Sequence, residues 1–254
     1  MSAQYAQLPR GTRLCRIGTW SAAAGLLLIA ISSGHKLGFL SSWQTAFMAL
    51  GLAGIAMIVA IVTTSVGLIR SGNTAGAASP TATKLAFFAA LIFLVIAGMQ
   101  LRIAIGVPPI HDISTDTANP PQFVALIAVR QAAGAVNPPE YAGAEAAELQ
   151  ARGYRDIQTI ILPVATDVAF QRAETAAREM GWEIVAAVPR AGRIEAVATT
   201  GWIGFKDDVV IRVAAGEPNQ SLVDIRSKSR VGRGDAGMNA SRIREFRERL
   251  TSVK

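Results

Sequence analysis

The chain has 254 residues, 51% of them hydrophobic and only 17% charged, with a formal charge of +7. That charge would ordinarily suggest nucleic acid, yet every Asp and Glu lies beyond His111, and residues 1–107 carry seven Lys/Arg and no acid. The basic excess therefore flanks hydrophobic runs instead of forming a patch on a folded surface, so it gives no reason to expect a nucleic-acid partner.

Three apolar runs occupy the acid-free stretch. A helix crossing the ~30 Å hydrocarbon core needs about 20 apolar residues, so three transmembrane helices are predicted, at about 18–40, 43–69 and 85–107. Trp20 and Trp43 fall near span ends, where indoles favour the interface. Gly51, Gly54, Gly67 and Gly98 permit close helix packing. Arg10, Arg13 and Arg16 precede the first run, and Arg70 and Lys84 bound the loop between the second and third. The loop between the first two offers only Lys36 and His35. The positive-inside rule makes residues 1–17 a cytoplasmic tail and delivers residues 108–254 to the outer face. A signal peptide cleaved after Ser32-Ser33-Gly34 is the competing reading of the first run, and it leaves the C-terminal part outside as well. Loop 71–83 reads as a flexible connector. The single cysteine, Cys15, makes no intramolecular disulfide.

From Pro108 the texture turns to mixed polar and apolar. Pro108-Pro109 and Pro120-Pro121 predict an extended opening over 107–123. A helix is predicted near 141–151 and a short strand at 157–162. The clearest helix is 167–180, where Phe170, Ala173, Ala177 and Met180 recur at helical spacing before Gly181. Strands at about 182–188, 193–199, 205–214 and 222–231 follow, separated by short turns that suit antiparallel neighbours. A last helix over 240–251 buries Ile243, Phe246 and Leu250. The expected fold is a three-span membrane segment followed by an α+β domain, a mostly antiparallel sheet with helices on one face.

Three stretches now stand together: Ile110–Asp116 with Asn119-Pro120-Pro121; Gly204-Phe205-Lys206-Asp207-Asp208; and Asp224–Gly232 running on to Asn239 and Arg242-Ile243-Arg244. Over about residues 107–252 the chain resembles the domain of unknown function 1499 family, found in bacterial envelope proteins and plastids. The resemblance implies no reaction. With the charge pattern, it implies a bacterial inner (plasma) membrane protein with a periplasmic or extracytoplasmic domain.

The basic residues of this domain gather at its end. Residues 224–254 hold nine basic and four acidic residues, against nine and fourteen in 108–223. On a strand, Asp224, Arg226, Lys228 and Arg230 share one face, and Ile225, Ser227, Ser229 and Val231 the other. The strand leads into a glycine-rich turn and a helix start at Asn239, where free N–H groups and arginines suit a phosphate or carboxylate. The candidate binding residues are His111, Asp112, Asp116, Asp207, Asp208, Arg226, Ser227, Ser229, Arg230, Asn239 and Arg242. The alternative is that the arginines pair with Asp112, Asp116, Asp207 or Asp208 and fix the fold. In one preferred picture, segment 111–116 docks against this limb.

No metal site is expected, because the paired aspartates lack the spacing of a calcium loop and zinc would have to use a lone histidine. No cofactor is expected either. Gly232-x-Gly234-x-x-Gly237 spells a dinucleotide fingerprint but lacks the following strand and acid. Asp112 is a poor orienting partner for His111, since neighbours on an extended chain point to opposite sides. The function expected is a non-catalytic binding or assembly module, its partners the lipid bilayer and an anionic envelope ligand or membrane protein. The alternative is an envelope hydrolase or transferase using His111 with Asp, Arg and Ser groups.

Overall fold

The computed structural model describes residues 10–71 and 80–252. Three helices long and apolar enough to cross a membrane come first: α1 (Arg10–Ser32), α2 (Trp43–Ser71) and α3 (Pro80–Gly106). The start of α1 lies ahead of residue 18, and turns occupy 33–38, short of residue 40. Pro80 opens α3, a position where its missing N–H costs nothing. Residues 1–9 of the expected tail and 72–79 of the expected connector lie outside the described residues.

Helices α1 and α2 meet along Gly11, Gly18 and Gly25. A Cβ at Gly18 would come within 2.4 Å of Thr64 and 3.0 Å of the Ala60 carbonyl oxygen, so only a hydrogen fits there. Met57 fills the seam opposite Gly25 and is fully buried.

The chain divides into two compact units, the first reaching Arg102 and including 202–204, the second holding the remainder. The second unit contains β1 (Asp112–Ser114), α4 (Ala125–Ala132), α5 (Gly143–Gly153), β2 (Ile160–Leu162), α6 (Thr166–Glu179), β3 (Glu183–Val188), β4 (Arg193–Thr199), β5 (Lys206–Ala215), β6 (Ser221–Ser229) and α7 (Met238–Ser252). The sheet order is β1-β6-β5-β4-β3, with β2 pairing the other end of the same β6 edge, and every pair is antiparallel. The β3–β4 connection needs Gly192 at φ 58°, because a Cβ there would meet the Val213 carbonyl oxygen at 2.1 Å.

The two sheet faces differ in chemistry. Ile113, Ile194, Ile211 and Ile225 join the apolar core with Phe170 and Ala173 of α6 and Ile243, Phe246 and Leu250 of α7. Trp182 stacks on Phe246 with ring centroids 5.7 Å apart. On the opposite face the register aligns Asp112, Lys228, Asp208 and Val197 in one row, and Ser114, Arg226, Val210 and Glu195 in the next. Phe123 and Leu126 pack on Val197 and Val210 there. The sequence reading puts helices on one face only; the structure covers both, using α4 and the extended chain around it for the second.

Helix α4 owes its start to a residue distant in sequence. The buried Glu195 carboxylate accepts the N–H groups of Val124, Ala125 and Leu126 at 2.9–3.0 Å. A negative charge at the positive end of a helix supplies what a local cap would otherwise provide.

Candidate functional site

The charged side chains of β6 find partners inside the domain. Arg226 donates from Nε to Asp112 Oδ1 at 2.8 Å and from a terminal nitrogen to Oδ2 at 2.9 Å. Lys228 Nζ donates to the same Oδ2 at 3.0 Å and to the Glu140 carbonyl at 2.5 Å. Arg226 also donates to the carbonyls of Pro121 and Pro139, and its guanidinium lies 4.8 Å from the Phe123 ring centroid and 5.4 Å from that of Tyr141. All three charged groups are buried. Burial holds the Lys228 amine below the ordinary lysine range, against the pull of Asp112. It also pushes the Tyr141 phenol up to about 12, with Asp112 adding to the shift.

A second cluster lies beside the first. Arg230 forks onto Asp208, reaching Oδ1 at 2.7 Å and Oδ2 at 3.0 Å, and Arg130 of α4 binds the same carboxylate. Arg130 also donates to the Asn137 carbonyl at 2.6 Å. Asn137 in turn donates to the carbonyls of Ser229 and Gly232 at 3.0 Å. Both clusters tie segment 115–142 to the sheet, and their surplus positive charge is met by carbonyl oxygens and aromatic faces.

A third network occupies the apolar face at the start of α7. Arg242 donates to Asp207 at 2.6 Å and to Ser227 Oγ at 2.9 Å, and it also binds Asn239 Oδ1. Asn239 donates to Ser229 Oγ at 3.0 Å and to the His111 carbonyl at 3.1 Å. The cap of α7 is Asp235, which accepts the N–H groups of Gly237 and Asn239. Burial raises the Asp235 pKa, in opposition to those two hydrogen bonds. Asp116 lies apart from the basic limb and pairs with Arg212 at 2.8 Å, which also holds Asp224 at 2.7 Å.

The candidate residues are thus distributed over several networks. Segment 112–114 docks on the limb as β1, and Arg226, Arg230 and Arg242 take Asp112, Asp208 and Asp207 as partners, which is the internal-pairing alternative. The His111 side chain stands outside these clusters, although its carbonyl accepts from Asn239. Its Nδ1 contacts the Arg233 carbonyl at 3.3 Å, while Asp112 points into the buried layer. Arg130, Asn137, Glu195 and Arg212 escape a sequence reading because their partners lie on remote segments.

One hollow of about 170 Å³ opens beside His111. Ile110, Ala146 and Leu149 form its apolar part, with Glu145 of α5 and Arg233 of the β6–α7 loop as charged walls. Arg233 and Glu145 are exposed. Among the described residues no group of His, Cys, Asp and Glu is arranged to hold a metal ion.

A comparison with curated proteins finds no match. The family described as "Protein of unknown function (DUF1499)" matches residues 112–250, from the first residue of β1 into the last turns of α7. That match takes in both charged clusters and the α7 network, so this chain belongs to the DUF1499 family, carried behind an N-terminal segment of three apolar helices.

Proposed function

We propose that this chain is a membrane-anchored envelope protein whose domain is a non-catalytic binding or assembly module. Its three apolar helices sit in the bacterial inner (plasma) membrane, with the N-terminus cytoplasmic and the domain periplasmic or extracytoplasmic. The distribution of Arg and Lys around the helices supports that orientation. Asp112, Asp208, Arg226 and Arg230 are engaged with one another inside the domain and build its fold, so the observation that carries the binding role lies elsewhere. What the domain offers a partner is the hollow walled by His111, Glu145 and Arg233.

The test is native mass spectrometry of the full chain released in mild detergent. A stoichiometric envelope component or protein partner is the expected result. Turnover of an envelope substrate that His111→Ala abolishes at unchanged melting temperature would replace this reading with the hydrolase or transferase one.

A further inference from the structure

We infer that the hollow beside His111 is a headgroup site for an aminophospholipid, its phosphodiester on Arg233 and His111 and its ammonium on Glu145. This deepens the proposed function and rests on it. Arg233 and Glu145, of opposite charge, line the hollow together with the apolar Ile110 and Leu149, a combination that fits a short zwitterion carrying hydrocarbon.

The phosphate end has two sources of attraction. Arg233 is exposed and offers a planar fork suited to phosphate. His111, held beside Arg233 by the contact of its Nδ1 with the Arg233 carbonyl at 3.3 Å, keeps Nε2 for the ligand. Asp112, which also lines the hollow, is outweighed by Arg226 and Lys228 behind it. Glu145, which forms no ion pair among the described residues, supplies the acid that an ammonium needs.

Chain length brings membrane lipid within reach. The 27 residues of α3 make a helix of about 40 Å, close to the ~40–45 Å of a bilayer with its headgroups. From Gly106, where α3 ends, to Pro109 on the rim of the hollow is three residues, at most about 11 Å of chain.

The test uses the full chain in mild detergent, reloaded with equimolar phosphatidylethanolamine, phosphatidylglycerol and phosphatidylcholine and read by native mass spectrometry. Wild type retains one phosphatidylethanolamine in preference to the others. Arg233→Ala lowers that retention about tenfold, the worth of one hydrogen bond to a charged group. Glu145→Gln removes the preference over phosphatidylglycerol, and Arg190→Ala, outside the hollow, leaves retention unchanged. Equal retention of the three lipids by wild type, or undiminished retention by Arg233→Ala, overturns the assignment. A retained protein partner without lipid overturns it too but leaves the binding role standing. Cleavage of the retained lipid leaves the site standing and overturns the non-catalytic reading.

Discussion

Asp112 and Arg226 meet across β1 and β6 through two hydrogen bonds of 2.8 and 2.9 Å, with both side chains removed from solvent. Removing one partner of a buried pair leaves an uncompensated charge, which costs about 3–5 kcal/mol. Asp112→Ala strands both Arg226 and Lys228 and is expected to cost at least that much. Urea unfolding of the full chain in detergent checks this; a loss within the range of a surface substitution would contradict it.

Glu195→Ala removes the shared acceptor of three N–H groups at the start of α4. Hydrogen bonds to charged groups are each worth about 1.5–3 kcal/mol. The substitution is expected to cost at least about 4 kcal/mol, and amide exchange over residues 124–132 should accelerate more than exchange in β5. Uniform acceleration across the domain would show that Glu195 does not act on α4.

Asp235 gives a pH dependence of unusual sign for an aspartate. Its folded pKa is raised by burial above the ordinary value of 3.8. The stability this group contributes is therefore fully present below about pH 4 and is lost as pH rises through the raised value. The advantage of wild type over Asp235→Asn should shrink as melts are run from pH 4 towards neutrality. An advantage that grows with pH would mean that the capping hydrogen bonds outweigh burial.

The proposed orientation can be read with cysteine chemistry. Glu217→Cys places a thiol on the exposed β5–β6 turn, whereas Cys15, the natural thiol, lies buried in α1. A membrane-impermeant maleimide applied to intact spheroplasts should label residue 217 without permeabilisation. Labelling that requires permeabilisation would invert the orientation.

Much of the fold is legible in the sequence because it is written locally. Phe170, Ala173 and Ala177 mark α6, and Ile243, Phe246 and Leu250 mark the buried side of α7. Turn residues separate four successive strands, and the structure pairs them in order. Helix α4 is hidden because Val124 offers no side-chain cap and the substitute, Glu195, lies about 70 residues away. Strand β1 is too short, at three residues, for a period to show. The candidate site follows the same rule. Alternation places Asp224, Arg226, Lys228 and Arg230 on one face, but which acid each cation meets depends on β1, β5 and α4. Arg233 and Glu145 carry no pattern at all, since only the tertiary fold brings their segments to one hollow.

The buried charges of β6 build the domain by pairing internally. A double-mutant cycle on Asp112→Ala and Arg226→Ala measures this most directly, by urea unfolding of the full chain with buried Trp182 as reporter. Residues in one ion-pair network couple by about 0.5–3 kcal/mol, and the upper half of that range is expected here because both groups are buried. Additive effects of the two substitutions, each no larger than a surface change, would contradict it.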